Sequence, residues 1–463
     1  MFTRLQAQHR RSRPVTEAAL DIAMLRLEVT AVAPGHRARD LVDQIDELER
    51  LKASIAAKQA RLTLDLHDIR QHEHDERQLR DDPALPRRTP NPDASTGREI
   101  GLARRESPYE GRRKLNVARA LLHDLPLTLA ALERGHLNER RAEIIATETS
   151  HLRHELRRQT DRMLHEQYDG TFDGVGNAEL RNSTRRLAIK LDEEGYLARR
   201  ERALSQRHVT TRPLRDGVSQ ISAIVDSLSV PAIMESLRES ADAELADDAR
   251  SDAEQRTRTQ VMADLFVERL GGSLFTRRVP VALKLLVGAE TLLGECTEPG
   301  YLMGSGFIPA SVARRLVAHG VNALTSSIQR LFQAPGDGAI VAMESRSSLY
   351  QHSLGEFIAL RDRECRTPYC NAPIRHKDHI VSRAQGGKTT DVNGQGLCAG
   401  CNYAKESPGW QHQVVPGDLT DPHEVEVRTP TGHRHRSRAP SPPARLEPPT
   451  PLELDITRLV LVR

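Results

Sequence analysis

The sequence predicts a mainly α-helical N-terminal domain with small β elements, followed by a small C-terminal α+β domain clamped by metal-binding knuckles. Three observations carry that prediction. Apolar residues recur every three or four positions over much of the chain before residue 350. Strand-like alternation is confined to short segments. Four of the five cysteines fall between residues 365 and 401.

Composition narrows the functional classes. The chain has 463 residues, enough for two or three domains. Apolar residues make up 38% and aromatics only 3%, so the cores rest on Leu, Val, Ile and Ala. Lys and Arg total 67 against 64 Asp and Glu, a balance that leaves local clustering to decide about nucleic acid. Arginine dominates the basic residues, which favours two-pronged contact with phosphate or carboxylate. No apolar stretch approaches the roughly 18 residues of a membrane span. Residues 1–14 are basic and lack the apolar centre of a signal peptide, so a cytoplasmic protein is expected. Five cysteines are too few for a secreted disulfide scaffold, and their clustering points to a metal site.

Residues 16–32 read as a short helix. Leu41, Ile45, Leu48, Ile55, Leu62, Leu66 and Ile69 then form one seam along a helix of about 40 residues. That helix either packs on its own domain or pairs with a second copy as a homodimer. Four prolines in 81–97 mark a linker. Residues 116–163 give two or three short helices, broken at Leu125-Pro126 and Gly135. A highly charged helix covers 178–206, and 207–226 alternates around Asp216-Gly217 as a β-hairpin. Helices follow at 231–248 and 251–270, a strand within 279–294, and a helix at 309–319. Cys296 stands alone and reads as an ordinary thiol. After Trp410, "GWQHQVVP" and "HEVEVRT" alternate like strands, and "PTGH" makes a turn at 430–433. The basic, proline-rich segment from 431 to 463 reads as a tail, either solvated or touching phosphate.

The constellation between 361 and 410 carries the chemistry. Cys365 and Cys370 form C-x4-C, and Cys398 and Cys401 form C-x2-C. Four thiolates suit a structural zinc ion, which would stand in for the core that this short segment lacks. Such an ion has no open position, so any catalysis must come from His376, Asp378, His379, Asn393 and Asn402.

The order D-H-I-V, G-G-x-T, D-x-N and C-x-x-C-N-x-x-K resembles the HNH endonuclease motif of the ββα-metal nucleases, in a variant whose last position is Asn. The resemblance spans about 50 residues. It implies a ββα-metal fold, and a His general base working with one divalent cation, Mg2+ or Mn2+. Matched to the motif, His379 is the base, Asn393 the residue that orients it, and Asp378 and Asn402 the metal ligands. Gly386-Gly387 would reverse the chain between the two strands. Neighbouring strand residues point to opposite faces, so strict alternation pairs His376 with Asp378 and leaves His376 as the rival ligand. DNA is the implied substrate. The arginines of "RDRECR", Arg375, Arg383, Lys388 and Lys405 are then the expected phosphate contacts.

With "LPLTLAALERGHLNERRAEIIATETSHL", "DGVSQISAIVDSLSVPAIMESL" and "DARSDAEQRTRTQVMADLFVERL", the helical region, roughly 40–350, resembles the domain of unknown function that precedes HNH in actinobacterial proteins of the thirteen-E-twelve repeat family. "NGQGLCAGCNYAKE" departs from members with His-His in the last knuckle. The expected organisation is N-terminal helices at 1–80, a linker at 81–97, a helical domain at 98–350, the nuclease domain at 351–430 and a tail at 431–463. The competing function is a non-catalytic DNA-binding or mobile-element accessory protein that keeps the zinc fold.

Overall fold

The computed structural model describes residues 16–79, 92–214, 218–248, 256–271, 284–294, 296–303, 306–322, 331–333, 340–343, 350–416 and 422–440. The expected N-terminal basic segment, most of the linker, the hairpin turn at 216–217 and the tail beyond 440 lie outside those residues, as does the start of the strand expected after 279.

In chain order the helices α1 and α2 are Glu17–Ala31 and Ala38–Leu79, followed by α3 at Pro92–Arg104 and α4 at Pro108–Arg119. A π-helical turn at Ala120–Asp124 leads to α5 (Pro126–Glu133), α6 (Glu139–Glu148), α7 (His154–Gln167), α8 (Asn177–Leu191) and α9 (Glu193–Ser205). The hairpin β1–β2 (His208–Pro213 and Ser219–Ile224) precedes α10 (Ser229–Asp248) and α11 (Arg258–Gly271). Next come β3 (Leu285–Leu286), α12 (Ala289–Leu293), β4 (Gly300–Leu302), β5 (Gly306–Ile308) and α13 (Ala310–Asn322). Strands β6 (Leu331–Gln333) and β7 (Ile340–Met343) pair before α14 (Tyr350–Asp362). The C-terminal module holds β8 (His376–His379), β9 (Gly394–Leu397), α15 (Ala399–Lys405), β10 (Gln411–Val414), β11 (Glu424–Arg428) and β12 (Arg434–Arg438). Among the described residues no helix is long and apolar enough to cross a membrane.

The chain divides into two compact units that interleave in sequence: Met1–Arg61 with Arg119–Leu191, and Leu62–Ala118 with Asp192–Arg463. This differs from the sequential division expected above.

The first unit is helical, and its core is leucine-rich. Leu121, Leu125, Leu132, Leu137, Ile145, Leu164, Phe172 and Leu180 are all essentially inaccessible to solvent. Pro126 opens α5, where its missing N–H costs nothing. The next two amides, of Leu127 and Thr128, donate to buried Asp161 at 2.8 and 3.2 Å. Burial pushes the Asp161 carboxyl above its ordinary range, and the donors from Thr128 and Leu127 oppose that shift. Gly135 adopts φ +78°, which ends α5 where the sequence predicts a break.

The long helix α2 does not bury its predicted seam. Leu41, Ile45, Leu48, Ile55, Leu62 and Ile69 are exposed in the single chain, whereas Ala53, Ala56, Ala57 and Leu64 are buried. A stripe of small residues allows closer approach than the bulkier seam. In the first unit, Ser54 then reaches the carbonyl of Glu133 at 2.7 Å.

In the second unit the predicted hairpin forms, with His208 opposite Ile224. The charged segment 178–206 is two helices rather than one, because Asp192 leaves the helical region and caps α9 at Gly195 N. Pro92 to Gly97, expected within the linker, are helical, and Thr96 and Gly97 are buried. The basic stretch Arg434–Arg438, expected in a tail, is the outer strand of the sheet β10-β11-β12. Glu426 on β11 explains that pairing: it sits directly opposite Arg436 and meets Arg434 at 3.3 Å and Arg436 at 3.4 Å.

Candidate metal centre and active site

The four cysteines converge from two turns. Cys365 N bonds Ala372 O, and Cys370 N bonds Thr367 O, both at 3.0 Å, which closes the first turn. Cys398 sits at the N-cap of α15, and its sulfur accepts from Cys401 N at 3.4 Å. All four sulfurs lie within 4.8 Å of one another. Cys370 Sγ is 3.9 Å from Cys398 Sγ and 3.7 Å from Cys401 Sγ. A tetrahedron of zinc–thiolate bonds has edges of about 3.8 Å, so the donor set fits that ion.

Crowding also splits the acidities. The hydrogen bond from Cys370 draws the Cys365 thiol down to about 7. Contact with Cys365 likewise lowers Cys398 and raises Cys370 and Cys401. Four sulfurs this close repel one another as thiolates, so a cation among them is what would hold all four ionised. Among the described residues it is the sole group of three or more His, Cys, Asp or Glu side chains placed to hold a metal.

The second half of the site is the β8–β9 hairpin with α15. His376 pairs with Leu397 and His379 with Gly394. Glycine alternates with larger residues in β9, because side chains at 394 and 396 would meet Ile358 and Ile374 at 2.4 Å. Helix α14 fixes this strand from below. Arg361 donates to Gly394 O at 2.7 Å and to Asp391 O at 2.8 Å, while Asp362 accepts from Gly396 N at 2.7 Å. Arg361 and Asp362 form a buried pair at 2.8 Å.

That arrangement corrects the reading of "RDRECR" as a phosphate-binding run. Arg361 and Arg366 are 4% and 3% exposed. Arg366 donates to the carbonyls of His423 and Ser437, and Arg363 lies over the Tyr301 ring. These guanidiniums hold backbone and ring together inside the unit. Arg375, Arg383 and Lys388 keep solvent access, as a phosphate contact requires.

Strand alternation persists to the end of β8. The rings of His376 and Tyr403 on α15 meet edge to face at 6.1 Å. Asp378 Oδ2 accepts from Lys405 Nζ of the same helix. His379 instead bonds Thr389 Oγ1 through Nε2 at 2.9 Å. The chain bends at Ile380, immediately after the strand. Lys405 is 7% exposed, and its ammonium also meets His379 O at 2.5 Å. It therefore holds the hairpin to α15 instead of standing at the surface for phosphate.

Asn393 clamps the loop between the strands. Its Oδ1 accepts from Val381 N at 2.9 Å, and its Nδ2 donates to Val381 O at 3.0 Å and Lys388 O at 2.8 Å. These bonds tie the residue two beyond His379 to the residue just before Thr389. Among the described residues, no hydrogen bond joins the His379 ring to Asp378, Asn393 or Asn402. Asn402 leaves its Oδ1 buried with no hydrogen-bond partner. Gly386 takes φ +86° after a 3-10 turn at Arg383–Gln385, which gives the predicted reversal.

Sequence reasoning assigns Thr389 no role, although it is the last letter of the G-G-x-T element. Asp378 carries carboxylate oxygens and Asn402 the orphaned amide Oδ1, the donor types that a hard divalent cation takes. Lys405 engages the Oδ2 oxygen of Asp378.

Comparison with known proteins identifies two families along the chain. Residues 46–334 match the Domain of unknown function (DUF222) family, and residues 365–407 match the HNH endonuclease family. No curated protein and no solved structure matches the chain. An HNH domain places the protein in a nuclease-type family that interacts with nucleic acid. With the first match covering well over half of its length and the second enclosing the four-cysteine and His379 elements, the chain belongs to the DUF222 family and carries a C-terminal HNH endonuclease domain.

Proposed function

We propose that the protein is a metal-dependent endonuclease that hydrolyses phosphodiester bonds of DNA. The observation that carries this reading is the buried, unpartnered Asn402 Oδ1. A buried oxygen without a donor costs about 1–3 kcal/mol, and a cation ligand position accounts for it.

His379 would act as general base. Its Nε2 contacts the exposed Thr389, a hydroxyl that a water or substrate can displace. Neutral imidazole takes a proton from water, the water oxygen bonds to phosphorus, and the bond to the leaving sugar oxygen breaks, that oxygen keeping the bonding pair and taking a proton from solvent. Asn393 acts as a positioning residue by fixing both flanks of the loop. Asp378 and Asn402 would hold Mg2+ or Mn2+, which when bound supplies charge stabilisation to the phosphate. Arg375, Arg383 and Lys388 would meet the backbone phosphates. The four-cysteine cluster would hold zinc and have a structural role only.

Plasmid incubated with Mg2+ or Mn2+ and purified protein tests the reading against His379→Ala. Loss of the base is expected to slow nicking by about 100- to 10,000-fold with an unchanged Tm. Equal nicking by the variant would remove His379 as base. No cleavage with any divalent ion would leave the non-catalytic DNA-binding reading in its place.

A further inference from the structure

The most unusual side chain in the second unit is an arginine far in sequence from the motif. Arg98, on α3, is fully buried. Its guanidinium carbon stands 4.3 Å over the Trp410 ring. Its Nη2 reaches Thr367 Oγ1, inside the Cys365–Cys370 turn, at 3.4 Å, and lies 3.1 Å from His412 Nε2. Its Nε and Nη1 are buried without hydrogen-bond partners. Among the described residues no carboxylate pairs with it.

A lone buried guanidinium is among the costliest groups a fold can hold, unless an anion answers it. The anion within electrostatic reach is the thiol cluster. Thr367, which Nη2 reaches, lies inside the Cys365–Cys370 turn, and attraction to the cysteines opposes the downward push that burial exerts on the Arg98 pKa. A divalent ion with four thiolates carries a net double negative charge, here largely buried, since Cys365, Cys370 and Cys401 are 6%, 6% and 1% exposed and Cys398 is half-buried. Each buried charge supplies what the other lacks. His412 is held neutral beside them, first by burial and then by the Arg98 charge.

We propose that Arg98 is the built-in counter-ion of the metal–tetrathiolate centre, a positioning residue that the DUF222 segment contributes to the HNH fold. The rest of α3 is consistent with membership of that fold. Trp410 Nε1 donates to Ser95 Oγ at 2.7 Å, and Thr431 N donates to Glu99 Oε1 at 3.2 Å. Leu102 shares a core with Ile380, Trp410, Val425 and Val427. The inference rests on the four-cysteine cluster holding a metal and not on cleavage, so metal retention tests it apart from nuclease activity.

The experiment uses the full-length, zinc-loaded chain and follows zinc release to a chromogenic chelator. Arg98→Met is expected to release zinc about 10- to 100-fold faster than wild type, as loss of an outer-sphere partner does elsewhere. Arg98→Lys keeps the charge without the fork and should fall between the two. Cys398→His removes one negative charge from the cluster, so Arg98→Met should cost less in that background. In cobalt-substituted protein, Arg98→Met should move the thiolate-to-metal charge-transfer band to longer wavelength, because the sulfur electrons lose a nearby cation. A wild-type release rate for Arg98→Met would overturn the proposal. So would an equal cost in the Cys398→His background, or an unmoved cobalt band. If Arg98→Met alone is insoluble, the double variant is expected to recover soluble, zinc-bound protein, and failure to do so also overturns it.

Discussion

The four-cysteine cluster and the His379–Asn402 region lie within one stretch of about 40 residues, yet they are finished to different degrees. The cluster is closed: its four sulfurs lie within 4.8 Å of one another, and the amides of Cys365, Cys370 and Cys401 all donate within the two turns. The hairpin is left open at one point. Its loop is tied by Asn393, but Asn402 Oδ1 has no donor and Asp378 is only half engaged by Lys405. A structural metal site fills its own coordination sphere, while a catalytic one keeps a ligand position for something outside the chain. Under the proposed function, stability belongs to the first and chemistry to the second, and substitutions can separate them.

The largest effect is expected at the closed site. Cys401→Ser should abolish zinc binding and melt the C-terminal module, because metal binding of about 10–16 kcal/mol replaces a core that is small there. Zinc content per chain and proteolysis across 350–440 would show it. Full zinc retention in the variant would erase the distinction between the two sites. At the open site the sign reverses. Asn402→Ala should cut cleavage by about 100-fold or more through loss of a cation ligand. Its stability should stay level or rise by about 1 kcal/mol, since an unsatisfied buried oxygen is gone. A large fall in Tm with activity intact would make Asn402 a structural residue.

How much of this the sequence disclosed depends on how local each signal is. The cysteines, His379, Asn393 and Asn402 stand at short spacings, so one hairpin and the helix after it carry all of them. Glycine at 386 and proline at 126 likewise mark turns that their own backbones dictate. Arg98 gave no such signal. Its partner Thr367 lies 269 positions away, and an arginine on a helix reads as a solvated charge until the contact is seen. The same blindness misplaced the "RDRECR" arginines, whose carbonyl acceptors come from distant turns and strands. It also hid β12, where basic composition suggested a tail but Glu426 and the register with β11 made a strand. In α2 the period was legible and the buried face was not, because spacing alone does not say which stripe meets a neighbour.

Asn393 tests whether the two functions meet. Asn393→Ala removes three side-chain hydrogen bonds, at about 1 kcal/mol each, from Val381 and Lys388. It should lower stability by about 2–3 kcal/mol and also slow cleavage, because Thr389 and His379 lose their fixed separation. Activity unchanged at that loss of stability would confine Asn393 to holding the loop.

The smallest effect is a pH dependence at the seam between loop and sheet. His423 donates through Nε2 to Val392 O at 2.8 Å, next to Asn393, and its buried Nδ1 has no partner. Burial first, and then the charge of Arg361, hold its pKa at about 4, below the ordinary 6.5. The folded state therefore keeps the ring neutral where the unfolded state takes up a proton. The stability this represents is fully present above about pH 6.5 and is lost as pH falls toward 4, on the order of 3 kcal/mol at the limit. Urea midpoints of the full chain measured from about pH 7 to 4.5 should fall less steeply for His423→Gln, which keeps a donor for Val392 but does not titrate. Parallel slopes in wild type and variant would assign the acid sensitivity elsewhere. A flattened slope, with zinc content constant across the range, would show that acid loosens the Asn393 loop while the closed cluster still holds its metal.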